Sequence, residues 1–201
     1  MKKFEEAINI FTENHGVLRT AQALEAGIAP KTLYAMRDQG ILIRLARGLY
    51  RLADAPPPGN PDLLTVSLKV PLAVFCLITA LDFYDLTEQV PRFVYFSLPQ
   101  GARRPQMDHP PIKIIWLSEK PYQAGIREAP IDNTHIKIYS PEKTLADCFK
   151  FRHKLGLDVA IDALKRYFEQ PPKAQDLNAL MGYARLNRVE KIITPYIESL
   201  I

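Results

Sequence analysis

The most evident chemistry in this 201-residue chain lies in cations gathered into its first quarter. Arg44, Arg47 and Arg51 fall within eight positions, with Lys31 and Arg37 just before them and Arg19 further upstream. Guanidinium and ammonium groups at this density suit an array of phosphates, because each neutralised phosphate releases a condensed counterion. Thr32 and Tyr34 lie between Lys31 and Arg37. Their hydroxyls, like the Lys31 ammonium, can hydrogen-bond base edges, the contacts that read sequence directly. The same cations on a small helical domain also read as an ordinary solvated face.

Such groups act together only if the backbone aligns them. Phe4, Ala7, Ile8 and Phe11 recur at helical spacing, and Gly16 ends that helix. Thr20 is a suitable N-cap for a short helix through Ala26, which Gly27 closes. Pro30 suits the first turn of a third helix reaching Gln39, with Gly40 as its stop. Ile41 to Leu45 and Leu49 to Leu52 then alternate as strands around the turn Ala46-Arg47-Gly48. Three helices and a two-stranded wing make a winged helix-turn-helix, whose third helix fits a major groove about 12 Å wide.

At about 100° per residue, Leu33 and Met36 share the inward face of the third helix, joined by Ile28, while Lys31, Ala35 and Asp38 face outward. Thr32 and Tyr34 fall on the flanks, and Arg37 sits nearer the core edge. In the wing, Ile41, Ile43 and Leu45 alternate with Leu42 and Arg44, and Tyr50 and Leu52 with Leu49 and Arg51. This parity puts Arg44 and Arg51 on one outward face, with Arg47 at the tip. Winged modules also serve as protein-interaction domains, so the fold alone does not establish contact with nucleic acid.

Ala55-Pro56-Pro57-Pro58-Gly59-Asn60-Pro61 reads as a stiff spacer, since successive prolines continue neither a helix nor a central strand. It separates a winged domain at 1–54 from a larger domain at 62–201. The second domain opens with a helix capped by Asn60 and a more apolar helix from about Ala73 to Tyr84. Strands follow at Phe93–Leu98, Ile112–Leu117 and Ile136–Tyr139. Ser140 caps and Pro141 starts a helix to about Leu155, and further helices are expected at Asp158–Glu169, Asp176–Leu186 and Arg188–Leu200. Helices, strands, then helices make the fold class α+β: a winged helix-turn-helix followed by a larger mixed α/β domain.

Composition narrows the function classes. Apolar residues make up 47% and charged residues 24%, which is globular rather than disordered. Twenty-six basic against 22 acidic residues leave a net charge of +4, so a polyanionic partner must be argued from position rather than total. The most apolar stretch, Pro71 to Leu81, is shorter than the roughly 20 residues that span a bilayer. Met1-Lys2-Lys3 is followed by Glu5 and Glu6 rather than an apolar leader core, so a cytoplasmic protein with reduced thiols is expected.

His15, His109, His135 and His153 are scattered and form no metal-binding spacing, so neither a metal nor another cofactor is expected. Cys76 and Cys148 sit among apolar residues and read as buried thiols. No Asp, Glu or Gln stands two positions before a Lys, which removes the commonest nuclease pattern, and no phosphate-binding loop or nucleophile elbow occurs. No catalytic residue is assigned. Glu142, Lys143 and Asp147 read first as helix-start charges with an i,i+4 pair, and otherwise as a partner contact. Arg103-Arg104 forms a basic loop after a strand, open to phosphate contact or to solvent.

Several segments together carry a family resemblance. His15-Gly16-Val17-Leu18-Arg19-Thr20, Ala26-Gly27-Ile28, Thr32-Leu33-Tyr34, Gly40-Ile41-Leu42 and Ala46-Arg47-Gly48-Leu49-Tyr50 resemble the AbiEi-type antitoxins of abortive-infection, or type IV, toxin–antitoxin pairs. Ser140-Pro141-Glu142-Lys143-Thr144-Leu145-Ala146-Asp147 and the stretch from Tyr183-Ala184-Arg185 to Leu200 extend the likeness, which is loosest over 85–135. The resemblance implies a two-domain regulator in phage defence. Its winged domain would bind double-stranded operator DNA at inverted repeats in its own promoter and repress the operon; the sequence leaves the oligomeric state open, and a single inverted-repeat site would favour two copies per operator. Its second domain would counter a nucleotidyltransferase-like toxin, with no membrane partner. On the winged domain, Arg19, Lys31, Thr32, Tyr34, Arg37, Arg44, Arg47 and Arg51 are the expected DNA-binding residues. A module that only sequesters a partner toxin, and an unrecognised nucleic-acid-processing enzyme, are the alternatives.

Overall fold

A computed structural model describes residues 2–55, 60–131 and 134–201. The proline run at 56–59, read above as a spacer, lies outside the described residues. Two compact units form. One comprises Met1–Pro71 with Gln106–Pro110 and Pro130–Thr134, the other Leu72–Pro105, Pro111–Ala129 and His135–Ile201.

The first unit opens with α1 (Lys2–Glu13), β1 (Val17–Arg19), α2 (Thr20–Glu25) and α3 (Pro30–Asp38). The wing follows as β2 (Leu42–Ala46) and β3 (Leu49–Leu52), and then α4 (Pro61–Lys69). The expected winged helix-turn-helix is present, with a third strand added. β1 pairs antiparallel with β3, giving the order β1-β3-β2. Three residues are too few to show a period, so this strand is visible only through its partner. Ala7, Phe11, Leu18, Ala23, Ile28, Leu33, Met36, Leu42 and Tyr50 close into one core. Burying a side chain such as Leu33 or Met36 in it stabilises the unit by about 1.5–3 kcal/mol. The Asn60 cap is present: its side chain accepts from the Leu63 amide at 3.2 Å, and Pro61 opens α4.

The second unit contains β4 (Val74–Phe75), α5 (Leu77–Phe83), β5 (Val94–Pro99), β6 (Ile112–Leu117), α6 (Glu119–Gln123) and the greater parts of β7 (Ile126–Ile131) and β8 (Thr134–Tyr139). It ends with α7 (Pro141–Lys150), α8 (Arg152–Leu155), α9 (Leu157–Glu169), α10 (Leu177–Leu186) and α11 (Glu190–Glu198). The strands form a mixed sheet in the order β6-β5-β4-β8-β7. β5 runs parallel to β6 and antiparallel to β4, which in turn runs parallel to β8. Residues of α5, α7, α9, α10 and α11 share one apolar core with Val74, Tyr95 and Tyr139 of the sheet.

Two local expectations are corrected here, and two further elements are found. The helix expected from Ala73 to Tyr84 begins as a strand: Val74 pairs with Ser97, and Phe75 with Phe96 and Ile138, before α5 starts. A continuous apolar run has no period that separates a buried strand from a buried helix. β7 and α6 were not anticipated. The helix expected through Leu155 is interrupted at Phe151, so α7 and α8 are separate. The Ser140 cap and Pro141 start are as expected, with Ser140 Oγ accepting from the Lys143 amide at 3.2 Å.

Candidate nucleic-acid interface

The geometry of the first unit begins at the turn between α2 and α3. Gly27 adopts φ +92°, a left-handed conformation that costs other residues roughly 1–2 kcal/mol. This lets the Ile28 amide donate back to the Ala23 carbonyl at 2.9 Å while Ile28 itself is buried. The chain therefore re-enters α3 at a set angle. The cap of α2 is Arg19 rather than Thr20, and the Gln22 side chain accepts from the Arg19 amide at 3.0 Å.

α3 is split by burial as expected. Leu33 and Met36 have no exposed surface, while Lys31 and Asp38 are exposed. Tyr34, expected on a flank, is 43% exposed, large for a tyrosine whose ring has a nearby core to join. Thr32 and Ala35 are half-buried. Arg37 lies over the Tyr34 ring, 5.2 Å from its centroid, and its Nε and Nη2 donate to Asp38 Oδ1 at 2.8 and 2.6 Å. The Asp38 carboxylate, with a smaller contribution from Tyr50, raises the Arg37 pKa above its ordinary value. Arg37 is thus already matched by a carboxylate, and a phosphate has to compete with Asp38 for it. Lys31 and Tyr34 are the exposed polar side chains of the first turns of the helix.

The wing departs from the expected parity. Leu42 faces Leu52, Ile43 faces Arg51, and Arg44 faces Tyr50, with an irregularity between Arg44 and Ala46. Directly opposed residues of an antiparallel pair share a face. Arg44 and Arg51 therefore lie on opposite faces, and the shared outward face is corrected. β3 has the expected parity, with Tyr50 inward, but β2 is shifted by one. Leu42 is buried and Ile43 is 42% exposed. Ile41, Leu42, Ile43 and Leu45 are all apolar, so the sequence offers two equivalent alternations, and one step between them turns every side chain over.

The correction separates the roles of the arginines. Arg44 is exposed, on the face of β2 that carries Leu42 and lies toward α3. Arg51 is half-buried, and its Nη1 donates to the Ala55 carbonyl at 2.6 Å, which ties down the chain after β3. Arg47 is exposed in the turn. The Thr20 amide donates to the Gly48 carbonyl at 2.9 Å, and Arg19 pairs with Leu49. Arg19 and Arg47 thus belong to one backbone-linked junction of the wing and α2.

The second unit holds a polar cluster whose burial the sequence did not signal. Lys143 Nζ donates to both Asp147 oxygens at 2.6 Å, and the two side chains are 0% and 2% exposed. Asp147 Oδ1 also accepts from Asn187 Nδ2 at 2.7 Å, and the Lys143 ammonium lies 4.3 Å from the centre of the Tyr139 ring. Tyr139 Oη donates to the Tyr122 carbonyl and bonds Ser97 Oγ, both at 2.8 Å. Burial pushes the Tyr139 phenol and the Cys148 thiol well above their ordinary pKa values. The i,i+4 pair is present as read, but inside the core, where it acts on packing. Both cysteines are buried, as expected. Among the described residues, no group of three or more His, Cys, Asp or Glu is placed to hold a metal ion, and no helix is long and apolar enough to cross a membrane.

A helix-turn-helix closed by a two-stranded wing, with an outward polar third helix, defines a winged helix-turn-helix module. Residues 5–53 match the family model of the AbiEi antitoxin transcriptional regulators, in agreement with the resemblance over that segment. Over the whole chain the fold is similar to the crystal structure of the RV2827C protein from Mycobacterium tuberculosis. That match has 14% identity and a TM-score of 0.58, covering 100% of this chain and 81% of that one. At that identity the likeness concerns the fold. No curated protein sequence matches the chain.

Proposed function

We propose that this chain is a DNA-binding antitoxin that represses its own toxin–antitoxin operon. The family match over residues 5–53 supports the regulator and antitoxin role. The observation carrying the DNA reading is the division of α3: Leu33 and Met36 anchor the helix while Lys31 and Tyr34 stand outward. In this reading α3 enters the major groove, where Lys31, Tyr34 and the edge of Thr32 meet bases. Arg47, Arg19 and Arg44 hold phosphates and set the register. Arg37 joins them when it leaves Asp38, and Arg51 supports the wing from within.

Inverted repeats in the operator would seat two copies, since symmetry in the site mirrors symmetry in the protein. The second unit would counter a nucleotidyltransferase-like toxin in the cytoplasm. The test is a mobility-shift titration of the intact chain against the DNA upstream of its own gene, at two salt concentrations, with unrelated DNA as competitor. Specific retention that weakens steeply with salt supports the proposal. Equal affinity for both DNAs, or none, sinks the repressor role. Neutralisation of the co-encoded toxin without DNA binding would leave only the sequestering module.

A further inference from the structure

One concavity in the second unit gathers groups that the DNA reading does not use. Its volume is about 340 Å³, within the range of small-molecule sites. Arg104 from the loop after β5, Lys113 from β6 and Lys154 from α8 line it, and no carboxylate does. All three cations are exposed, and among the described residues none is ion-paired. Lys113 Nζ instead donates to Tyr95 Oη at 3.2 Å and lies 4.4 Å from the Phe93 ring centre. Neutral partners thus hold the ammonium at the wall without cancelling its charge. Three like charges around one small space repel one another, and a multivalent anion relieves that repulsion.

The remaining wall is of a different kind. Residues 112–116 line the cavity consecutively, and β6 is an edge strand of the sheet. Its outer N–H and C=O groups are donors and acceptors with no neighbouring strand to take them. The apolar part is supplied mainly by Trp116, 39% exposed, and by the half-buried Ile114 and Leu155, while Leu77, also lining it, is only 1% exposed. Leu77 stands at φ +51°, a conformation that leucine rarely adopts and that recurs near binding sites.

We propose that this cavity binds a free nucleoside polyphosphate. The phosphates lie toward Arg104, Lys113 and Lys154. The base places its donor–acceptor edge on the β6 backbone and one face on the apolar floor. A bare polyphosphate leaves the floor and the strand edge unused. An acidic peptide extending the sheet uses the edge, but its carboxylates are single charges spaced along the strand and do not gather where the three cations line one concavity. This site is separate from the winged unit, so its test does not depend on the operator reading.

Trp116 is the chain's one tryptophan and lines the cavity, so its fluorescence reports occupancy. The intact chain is titrated with ATP, GTP, guanosine, inorganic tripolyphosphate, a single-stranded decanucleotide and an acidic decapeptide, with calorimetry alongside. A saturable Trp116 response to a nucleoside triphosphate is expected. The double variant Arg104→Ala/Lys154→Ala, which removes exposed side chains only, should weaken that response at least tenfold with an unchanged circular-dichroism spectrum. Four results each overturn the proposal: no saturable response to either triphosphate, tripolyphosphate binding as tightly as the nucleotides, a response confined to the decanucleotide or the peptide, or undiminished binding by the double variant.

Discussion

The Thr20 amide donates to the Gly48 carbonyl across 2.9 Å, which joins the turn of the wing to the first residue of α2 through the backbone. Arg47 and Arg19 flank this bond in sequence, which presents two cations from different elements at one junction. Positioning of this kind matters for phosphate contacts, because a backbone already ordered at the junction loses less freedom when its side chains bind.

Arg47→Ala is accordingly expected to weaken binding to all DNA sequences alike. The slope of log affinity against log salt should become shallower by roughly 0.9, the contribution of one phosphate contact. Mobility shifts or anisotropy at several salt concentrations measure both, and an unchanged slope removes Arg47 from the interface. Tyr34→Ala should act differently. It should lower the preference for operator over unrelated DNA while leaving the salt slope nearly unchanged.

Arg51→Ala should behave as a stability variant. Its guanidinium is half-buried on the Ala55 carbonyl, so its removal should lower the midpoint of unfolding by about 1–3 kcal/mol equivalent. The salt slope of DNA binding should stay as in the parent chain. A shallower slope with unchanged stability would return Arg51 to the phosphate-binding set.

The Lys143–Asp147 pair gives a third expectation. Lys143→Met alone strands a buried carboxylate and should cost about 3–5 kcal/mol. Lys143→Met with Asp147→Leu removes both charges and should cost much less than the two single changes added together. Denaturant unfolding of the four chains in a double-mutant cycle measures the coupling. Additive losses would mean that the pair is not interacting.

Gly125 tests the same region by shape. It has φ +76°, and an added Cβ would lie 2.7 Å from Lys143 Cβ. Gly27, at φ +92°, has open space around the corresponding position. Gly27→Ala should therefore cost only the torsional roughly 1–2 kcal/mol, and Gly125→Ala clearly more. Thermal unfolding of the two variants ranks them, and equal losses would argue against close packing at Lys143.

Alkaline pH provides a global check. Burial raises the pKa of the Cys76 and Cys148 thiols and of the Tyr139 and Tyr167 phenols in the folded chain. Above the ordinary thiol and phenol values, about 8.5 and 10, the unfolded chain releases protons that the folded chain retains. The stability these groups provide is intact below those values and falls as pH rises beyond them. Lys150, whose pKa burial lowers, acts in the opposite direction and partly offsets the fall. Urea midpoints between pH 7 and 11 should decline from about pH 9. The decline should be shallower in Cys76→Ala/Cys148→Ala, and equal slopes would take the thiols out of the account.

The features settled by sequence alone are those that depend on near neighbours. The period of α3 assigns Leu33 and Met36 to the core and Lys31 to the surface, and Asn60-Pro61 and Ser140-Pro141 mark helix starts through local torsions and side-chain caps. These demands act within four residues and survive in any tertiary context. Tertiary structure alone decided which way β2 faces, that Val74 and Phe75 form a strand, and that Lys143 and Asp147 lie in the core. A strand's face and a charge's burial are set by segments distant in sequence: β3 for Arg44 and Arg51, β5 and β8 for β4, and Asn187 of the last helical pair for Asp147. Uniformly apolar or ambiguously paired stretches carry no local mark of those partners.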